Sequence, residues 1–244
     1  MSREDKVRRG ILVAGLVAAM LLVGAVPDTA SASSGKWEFV DTFDGVKVWR
    51  KEAAGSNVFA FRGEVTKPIH IGKVLTAFAT STYHKDWVDR WDNSRDLKKI
   101  GPYERIFWIR FDLPWPVSDR DYVIHTKATP NEKARVVTAQ LKSVTHPAKP
   151  KEGGCCVRGD AFGTHYKFTA LPGNKTKMMV EVHTDPRGML PSWLVNIIQK
   201  KWPSKTLNGL AARAAKSDIA IYNGFEDWHT PYQPPAVVAP PAPA

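Results

Sequence analysis

Apolar and polar residues alternate along residues 45–50, and a period of two predicts a strand with one buried face. Residues 57–65, which read NVFAFRGEV, are predicted to form a second strand. Turn-forming residues lie between the two stretches, which favours an antiparallel pair. The folded part of the chain is therefore expected to begin with two paired strands.

A helical spacing follows these strands. Ile71, Val74, Leu75 and Phe78 recur at intervals of three and four residues, which predicts a short amphipathic helix. Beyond it, turn-forming Gly, Pro and Asn residues separate further strand-like stretches. These stretches lie at residues 97–100, 106–111, 122–128, 134–144, 155–161, 164–170 and 176–184.

The last predicted element is a long amphipathic helix. Pro191 suits its first position, Pro203 is expected to kink it, and the helix should reach residue 217. This order of elements indicates an α+β architecture, with the helix lying across an antiparallel sheet. The apolar stripe of the helix consists of Leu190, Leu194, Ile197, Ile198 and Trp202.

The two ends of the chain have a different composition. Residues 1–32 combine a charged start, an apolar run over residues 11–26 and a small-residue site, which is the pattern of a signal peptide cleaved after Ala32. A retained membrane anchor is the alternative, but the run is shorter than the ~20 residues that span a bilayer. Export to the periplasm or the extracellular space is therefore expected. Residues 33–228 form one predicted domain, and the Pro- and Ala-rich residues 229–244 a stiff, disordered tail.

The net charge of +11 favours anionic partners such as membranes, although a charge excess also promotes solubility. Nucleic acid is not an expected partner, because the chain carries an export signal and no nucleic-acid motif. The two cysteines, Cys155 and Cys156, are adjacent, which fits two small strand residues better than a strained disulfide between neighbours. Their spacing predicts no metal site, and no phosphate-binding loop or cofactor motif is present.

Four motifs occur in an order that points to one family. Residues 44–48 read DGVKV, residues 114–122 PWPVSDRDY, residues 157–158 VR and residues 184–196 TDPRGMLPSWLVN. Over about residues 37–214 the sequence resembles the START domain, the steroidogenic-acute-regulatory-protein-related lipid transfer family. The resemblance implies a helix-grip fold, in which a curved antiparallel sheet wraps around a long C-terminal helix.

The resemblance also implies a function. The cavity between sheet and helix is expected to hold one sterol, phospholipid, sphingolipid or other apolar molecule, without a cofactor. The loop over residues 113–119 resembles the segment that gates this cavity together with the last helix. The expected protein is a lipid-transfer protein and a monomer.

The expected lining of the cavity comes from one strand and one helix. Alternate side chains of residues 107–111 share an all-apolar face, although this face could instead pack against the helix away from any ligand. The expected apolar ligand contacts are Phe107, Ile109, Phe111, Leu194, Ile197 and Ile198.

Arg120 is the charged residue expected to meet the ligand. In some members of the family the arginine at the matching motif position pairs with an acid inside the cavity, and a buried arginine needs such a partner. Here Asn93 takes the place of the acid, with Asp92 beside it. Arg120 is therefore expected to bind a polar ligand group, or alternatively to bond Asp121, Asp119 or backbone carbonyls.

The gate is expected to combine apolar and basic side chains that contact an anionic membrane transiently. Core packing is an equally open role for Trp115. The expected gate residues are Leu113, Trp115, Val117, Leu190, Trp193, Trp202, Lys200 and Lys201.

Two other functions stay open at this point. Helix-grip relatives include cyclases and aromatases, so an enzyme acting on a polycyclic or polyketide-like substrate is the alternative, with His165 or His183 as acid–base candidates. No catalytic motif is readable, and catalysis is not expected. A ligand-regulated module that binds another protein is a third possibility.

Overall fold

The protein was analysed as a computed structural model that describes residues 35–53, 56–113, 115, 117–149 and 156–231. Four groups of predictions lie outside these residues: the signal peptide, Cys155, two prolines of the gating loop and most of the proline-rich tail. None of the helices in the described ranges is long and apolar enough to cross a bilayer.

Twelve strands and three helices are formed by the described residues, with a 3-10 turn at Ser81–Tyr83 before the second helix. The helices are α1 (Ile71–Ala79), α2 (His84–Trp87) and α3 (Ser192–Ala214). The strands are β1 (Glu38–Phe43), β2 (Val46–Lys51), β3 (Ala60–Lys67), β4 (Trp91–Gly101), β5 (Glu104–Phe111), β6 (Asp119–Asn131), β7 (Val136–Ser143), β8 (Cys156–Arg158), β9 (Asp160–Ala161), β10 (Thr164–Leu171), β11 (Lys175–Val182) and β12 (Thr184–Asp185).

The large sheet has the strand order β1-β2-β3-β11-β10-β7-β6-β5-β4, and β8 pairs with β6. Every neighbouring pair on that path is antiparallel, whereas β8 runs parallel to β6. The helix α3 packs against β2, β3 and β11 and against α1 and α2. The predicted α+β architecture, with a long helix across an antiparallel sheet, is confirmed.

Several element boundaries differ from the predictions. The strand β1 was not predicted, and β4 begins at Trp91, several residues before the expected start. Pro191 caps α3 instead of occupying its first position, and the helix ends at Ala214 instead of residue 217. Helix α3 continues through Pro203 without interruption.

The C-terminal half of α3 is held close to the sheet. Pro203, Leu207 and Leu210 are buried there. A Cβ atom at Gly63 of β3 would lie 2.6 Å from the Cβ of Pro203, so only glycine permits this approach. The helix and the sheet therefore share one apolar core at this end of the molecule.

The chain after α3 returns to cover that core. Phe225 and Trp228 are buried, and the ring of His229 bonds both the backbone N–H of Ile71 and the carbonyl oxygen of Leu171. His229, the first residue of the predicted tail, therefore contacts the folded part of the chain, and the extent of the tail stays a prediction. These side chains lie in a turn-rich segment without a regular apolar period, so sequence patterning could not identify them.

Candidate functional site

A cavity of about 200 Å³ lies between the inner face of the sheet and the N-terminal half of α3. Most of its lining is apolar, and it reaches from the start of β6 to the end of α1. The lining includes Phe107, Ile109, Phe111, Leu113, Arg120, Tyr122, Ile124, Leu190, Val195, Ile198, Gln199 and Trp202.

The strand side of the cavity follows the predicted alternation. Phe107, Ile109 and Phe111 of β5 all line it. In the neighbouring strand β6, Tyr122 and Ile124 are on the same face, paired in register with Ile109 and Phe107. The expectation that this apolar face lines a cavity is met in position, and ligand contact stays a prediction.

The helix side differs from the expected stripe. Val195, Ile198, Gln199 and Trp202 face the cavity, while Leu194 and Ile197 do not line it. Ile197 is 60% exposed. The inward residues 195, 198, 199 and 202 follow the helical spacings of three and four residues, and Ile197 lies beyond the edge of the face that they form. The expected cavity positions of Leu194 and Ile197 are therefore wrong.

Arg120 is 4% exposed and lines the front of the cavity. Its Nε donates to the carbonyl oxygen of Pro186 at 3.2 Å, and its two Nη atoms donate to the carbonyls of Ser118 and Arg187. Burial lowers the pKa of this guanidinium from its ordinary value. Among the described residues no carboxylate pairs with Arg120, so the alternative in which backbone carbonyls hold it is the one observed.

The acids expected near Arg120 are engaged elsewhere. Asp121 accepts from Trp108 and Arg158 on the opposite face of the sheet, and Asp119 pairs with Arg110 at 2.5 Å. Asn93 is exposed, pairs in register with Arg110 and is not part of the cavity lining. The expected role of Asn93 inside the cavity is therefore wrong, because its position on β4 faces away.

The three carbonyls that hold Arg120 come from both parts of the expected gate. Ser118 ends the loop after β5, whereas Pro186 and Arg187 belong to the segment that leads into α3. One guanidinium thus joins the two gating segments. Because Arg120 also lines the cavity, any ligand group that binds it would act directly on this junction.

Apolar side chains of the gate divide into two groups. Leu113, Leu190 and Trp202 line the cavity, and Val117 is half-buried. Trp115 is 92% exposed and Trp193 is 64% exposed, and Met189 beside them is also fully exposed. Trp115 therefore does not pack in the core.

The two lysines of the expected gate lie near a different aromatic ring. Their ammonium groups lie 5.4 Å (Lys200) and 5.9 Å (Lys201) from the ring centre of Phe43, at the end of β1. They present positive charge on the flank of α3 that faces the edge of the sheet.

Gln199 is a polar residue of the lining that the sequence analysis did not single out. Its side chain is buried within the apolar wall of α3, where its Nε2 donates to the carbonyl oxygen of Thr184 at 3.0 Å. The spacing of four residues from Val195 and three from Trp202 places Gln199 on the inward face. This spacing is the one signal that could have identified it.

The far end of the cavity is polar. Arg105 donates to Ser81 and Asp96, and its Nη2 lies 3.4 Å from Nε2 of His84. Burial, together with the charge of Arg105, lowers the pKa of His84 to about 3, so the imidazole stays neutral. Beyond Arg105, Phe78 and Thr126 lies a second cavity of about 480 Å³ that shares these three residues.

The acid–base candidates of the alternative function lie elsewhere. His165 is exposed on β10, and His183 packs against Phe162. Neither side chain belongs to the lining of the cavity. The histidine that does line it, His84, has a pKa too low for proton transfer near neutral pH.

Known proteins resemble this chain in both sequence and fold. A family model described as the START domain matches residues 25–217. The phosphatidylcholine transfer protein of Bos taurus is 22% identical over 169 residues, which are 67% of this chain and 77% of that protein.

Two solved structures have the same architecture. Human StAR-related lipid transfer protein 5 superposes with a TM-score of 0.67 at 19% identity, covering 77% of this chain and 88% of that one. A STAR-related lipid transfer protein fragment from Xanthomonas axonopodis gives a TM-score of 0.64 at 23% identity, covering 74% of this chain and 99% of that one. These likenesses confirm the helix-grip fold.

Proposed function

Because the chain belongs to the START-domain family, we propose that it binds one lipid or similar hydrophobic molecule in the cavity under α3 and transfers it between membranes. The observation that carries this proposal is the cavity itself, whose walls are apolar on both the strand side and the helix side. Exposing a lipid chain to water costs about 0.8 kcal/mol per CH₂ group, and an apolar cavity removes most of that cost.

The size of the cavity indicates that loading requires movement. Its volume of about 200 Å³ is below the roughly 300–1,000 Å³ of ordinary ligand pockets. A lipid therefore needs an outward displacement of the gate, or access past Phe78 to the second cavity of about 480 Å³. Both routes keep the ligand on the inner face of β5 and β6.

We propose that the exposed apolar side chains at the front of the cavity contact a membrane during loading. Trp115, Met189, Trp193 and Ile197 lie on the two gating segments, where exposure to water is unfavourable. The net charge of +11 favours an anionic surface. The signal-like residues 1–32 support a site of action outside the cytoplasm.

Lipid occupancy and lipid extraction test the proposal together. We expect native mass spectrometry of the gently purified protein to find one lipid per chain, and we expect the emptied protein to extract labelled lipid from anionic vesicles. Ile109→Trp should prevent both, because the indole fills the cavity from β5. The matched control is Ile100→Trp, at an exposed position outside the lining, and it should behave like the parent.

Two results would contradict the proposal. One is a parent protein that purifies empty and extracts no lipid from any vesicle. The other is equal lipid binding by Ile109→Trp and Ile100→Trp, which would place the lipid outside this cavity.

A further inference from the structure

Gln199 carries a buried oxygen without a partner. The residue is 8% exposed, and its Oε1 atom forms no hydrogen bond within the described part of the chain. The orientation of the amide is fixed by chemistry, because the carbonyl oxygen of Thr184 can only accept and must face the NH₂ group. The unpaired atom is therefore the acceptor.

The position of Gln199 separates it from other buried polar atoms that lack a partner. Those of His183 and Thr206 belong to residues outside the cavity lining, whereas Gln199 is part of it. A buried acceptor without a donor is disfavoured. A donor supplied by the bound molecule would satisfy it.

Arg120 lines the same cavity as Gln199, and it has N–H donors that lack acceptors. A guanidinium has five N–H groups, and three of those of Arg120 donate to backbone carbonyls. The remaining two have no acceptor among the described residues. Arg120 bonds to residues 186 and 187 and Gln199 to residue 184, so a span of at most about 10 Å of chain separates their anchoring points.

We propose that Arg120 and Gln199 form a head-group site for a lipid that carries both an anionic oxygen and a hydroxyl or amine hydrogen. The anionic oxygen accepts from Arg120, whose charge no carboxylate of the described residues neutralises. The hydroxyl or amine donates to Oε1 of Gln199. This inference rests on the proposed function, since it specifies the polar end of the molecule that the apolar cavity encloses.

The other charged residues of the lining are consistent with this assignment. Asp89 is paired with Lys205 at 3.2 Å, so its charge is already neutralised. Arg90 and Arg105, the other arginines of the lining, lie 3.9 Å from Asp89 and 3.2 Å from Asp96, so within the described lining Arg120 is the arginine without a carboxylate partner. A head group that carries only methyl groups around its charge, without an N–H or O–H donor, would leave Gln199 unpaired.

Two single-chain phosphodiesters test the donor requirement. Hexadecyl glycerol phosphate and hexadecyl methyl phosphate have the same chain and the same charge, but only the first has hydroxyl donors. We expect the parent protein to bind the glycerol diester about tenfold more tightly, the factor associated with satisfying one buried acceptor. Binding is measured by displacement of a fluorescent lipid from the full chain.

Gln199→Leu removes the acceptor and should bring the two affinities to within about twofold of each other, because the glycerol diester loses its hydrogen bond while binding of the methyl diester is kept. The control is Gln140→Leu, the same substitution at an exposed position of β7, which should keep the preference of the parent. Thermal unfolding verifies that both variants fold. Unchanged methyl-diester binding in Gln199→Leu cannot result from misfolding.

The outcomes separate this inference from the proposed function. Equal affinity of the parent for the two diesters, with lipid extraction from vesicles intact, would overturn the head-group site alone. An unchanged preference in Gln199→Leu would also overturn it, by assigning the donor another acceptor. Failure to bind either diester or to extract vesicle lipid would refute both proposals.

Discussion

The two halves of α3 differ in what they bury. In the second half, from Pro203 to Ala214, apolar residues such as Leu207, Leu210 and Ala211 are buried against the sheet and against α1 and α2. In the first half Val195 is buried, but Trp193 and Ile197 are exposed, and Asn196 and Gln199 form hydrogen bonds to the segments beside the helix. One helix thus combines a part that is fixed in the core with a part whose outer face is apolar and uncovered.

This difference assigns separate tasks to the two halves. Close packing against the backbone fixes the second half, since a Cβ atom at Gly209 would lie 2.6 Å from the carbonyl oxygen of Trp87. The first half covers the cavity and loses less apolar burial if it moves away. We infer that the second half determines stability and the first half determines access to the ligand.

Substitutions in the two halves should have opposite effects on the free energy of unfolding and on lipid extraction. This is the largest difference that we expect. Leu207→Ala should lower the free energy of unfolding by about 2–5 kcal/mol, because a fully buried side chain leaves a cavity. Trp193→Glu should change it by less than about 0.5 kcal/mol, since the side chain is largely exposed. Denaturant unfolding measures both values.

The rate of lipid extraction from vesicles completes the comparison between the two halves of α3. Trp193→Glu should slow extraction from anionic vesicles severalfold or more, because it places a negative charge on the proposed membrane-contacting face. Leu207→Ala should extract at the parent's rate below its unfolding temperature. Extraction by Trp193→Glu at the parent's rate would remove the first half of α3 from the gate.

The sequence predicted the fixed parts of this arrangement better than the gate. The alternation along β5 identified Phe107, Ile109 and Phe111 as one face, because a strand has only two faces. The rotation of α3 could not be derived, since the neighbouring residues Ile197 and Ile198 are both apolar and permit two orientations. The helix buries Gln199, bonded to Thr184, where the sequence offered apolar alternatives.

Contacts between residues that are far apart in the sequence explain the other differences between the predictions and the structure. Arg120 was recognised from its motif, but its partners are carbonyls of Pro186 and Arg187, far along the chain, and backbone groups leave no trace in a residue pattern. The burial of Phe225 and Trp228 likewise depends on how the chain returns after α3. Tertiary contacts of this kind are decided by the whole fold.

Removing the arginine that joins the two gating segments should sharpen the contrast between the halves. Arg120→Met should lower the free energy of unfolding by about 1.5–3 kcal/mol, because hydrogen bonds from a buried charged group are lost. Hydrogen exchange should accelerate over residues 117–119 and 186–190 and stay unchanged over residues 204–214.

The control for this variant is Arg110→Met, which breaks a partly exposed ion pair with Asp119 and should cost at most about 1 kcal/mol. Equal acceleration along the whole of α3 in Arg120→Met would show that the arginine supports the core and does not specifically join the gate.

Low pH should destabilise the second half of α3 and the helices that pack against it. This is the smallest effect that we expect. His84 lies on α2, and burial keeps its pKa at about 3, well below the ordinary 6.5. Burial likewise lowers the pKa of His70, whose Nδ1 accepts the N–H of Gly72 at the start of α1. The unfolded chain takes up these protons below about pH 6.5 and the folded chain does not, so stability is complete above that pH and is lost as the pH falls.

Between about pH 7 and pH 5 the free energy of unfolding should therefore fall by about 1–2 kcal/mol for His84 alone. Denaturant unfolding at both pH values measures it, and His84→Gln should lack this part of the decrease, since glutamine does not titrate. Because α2 packs against the second half of α3 through Trp87 and Gly209, hydrogen exchange in acid should accelerate first in α1, α2 and residues 204–214. A decrease of the same size in His84→Gln, or an acceleration that begins at residues 186–190, would mean that protonation acts on the gate and would remove the proposed division between the two halves of the helix.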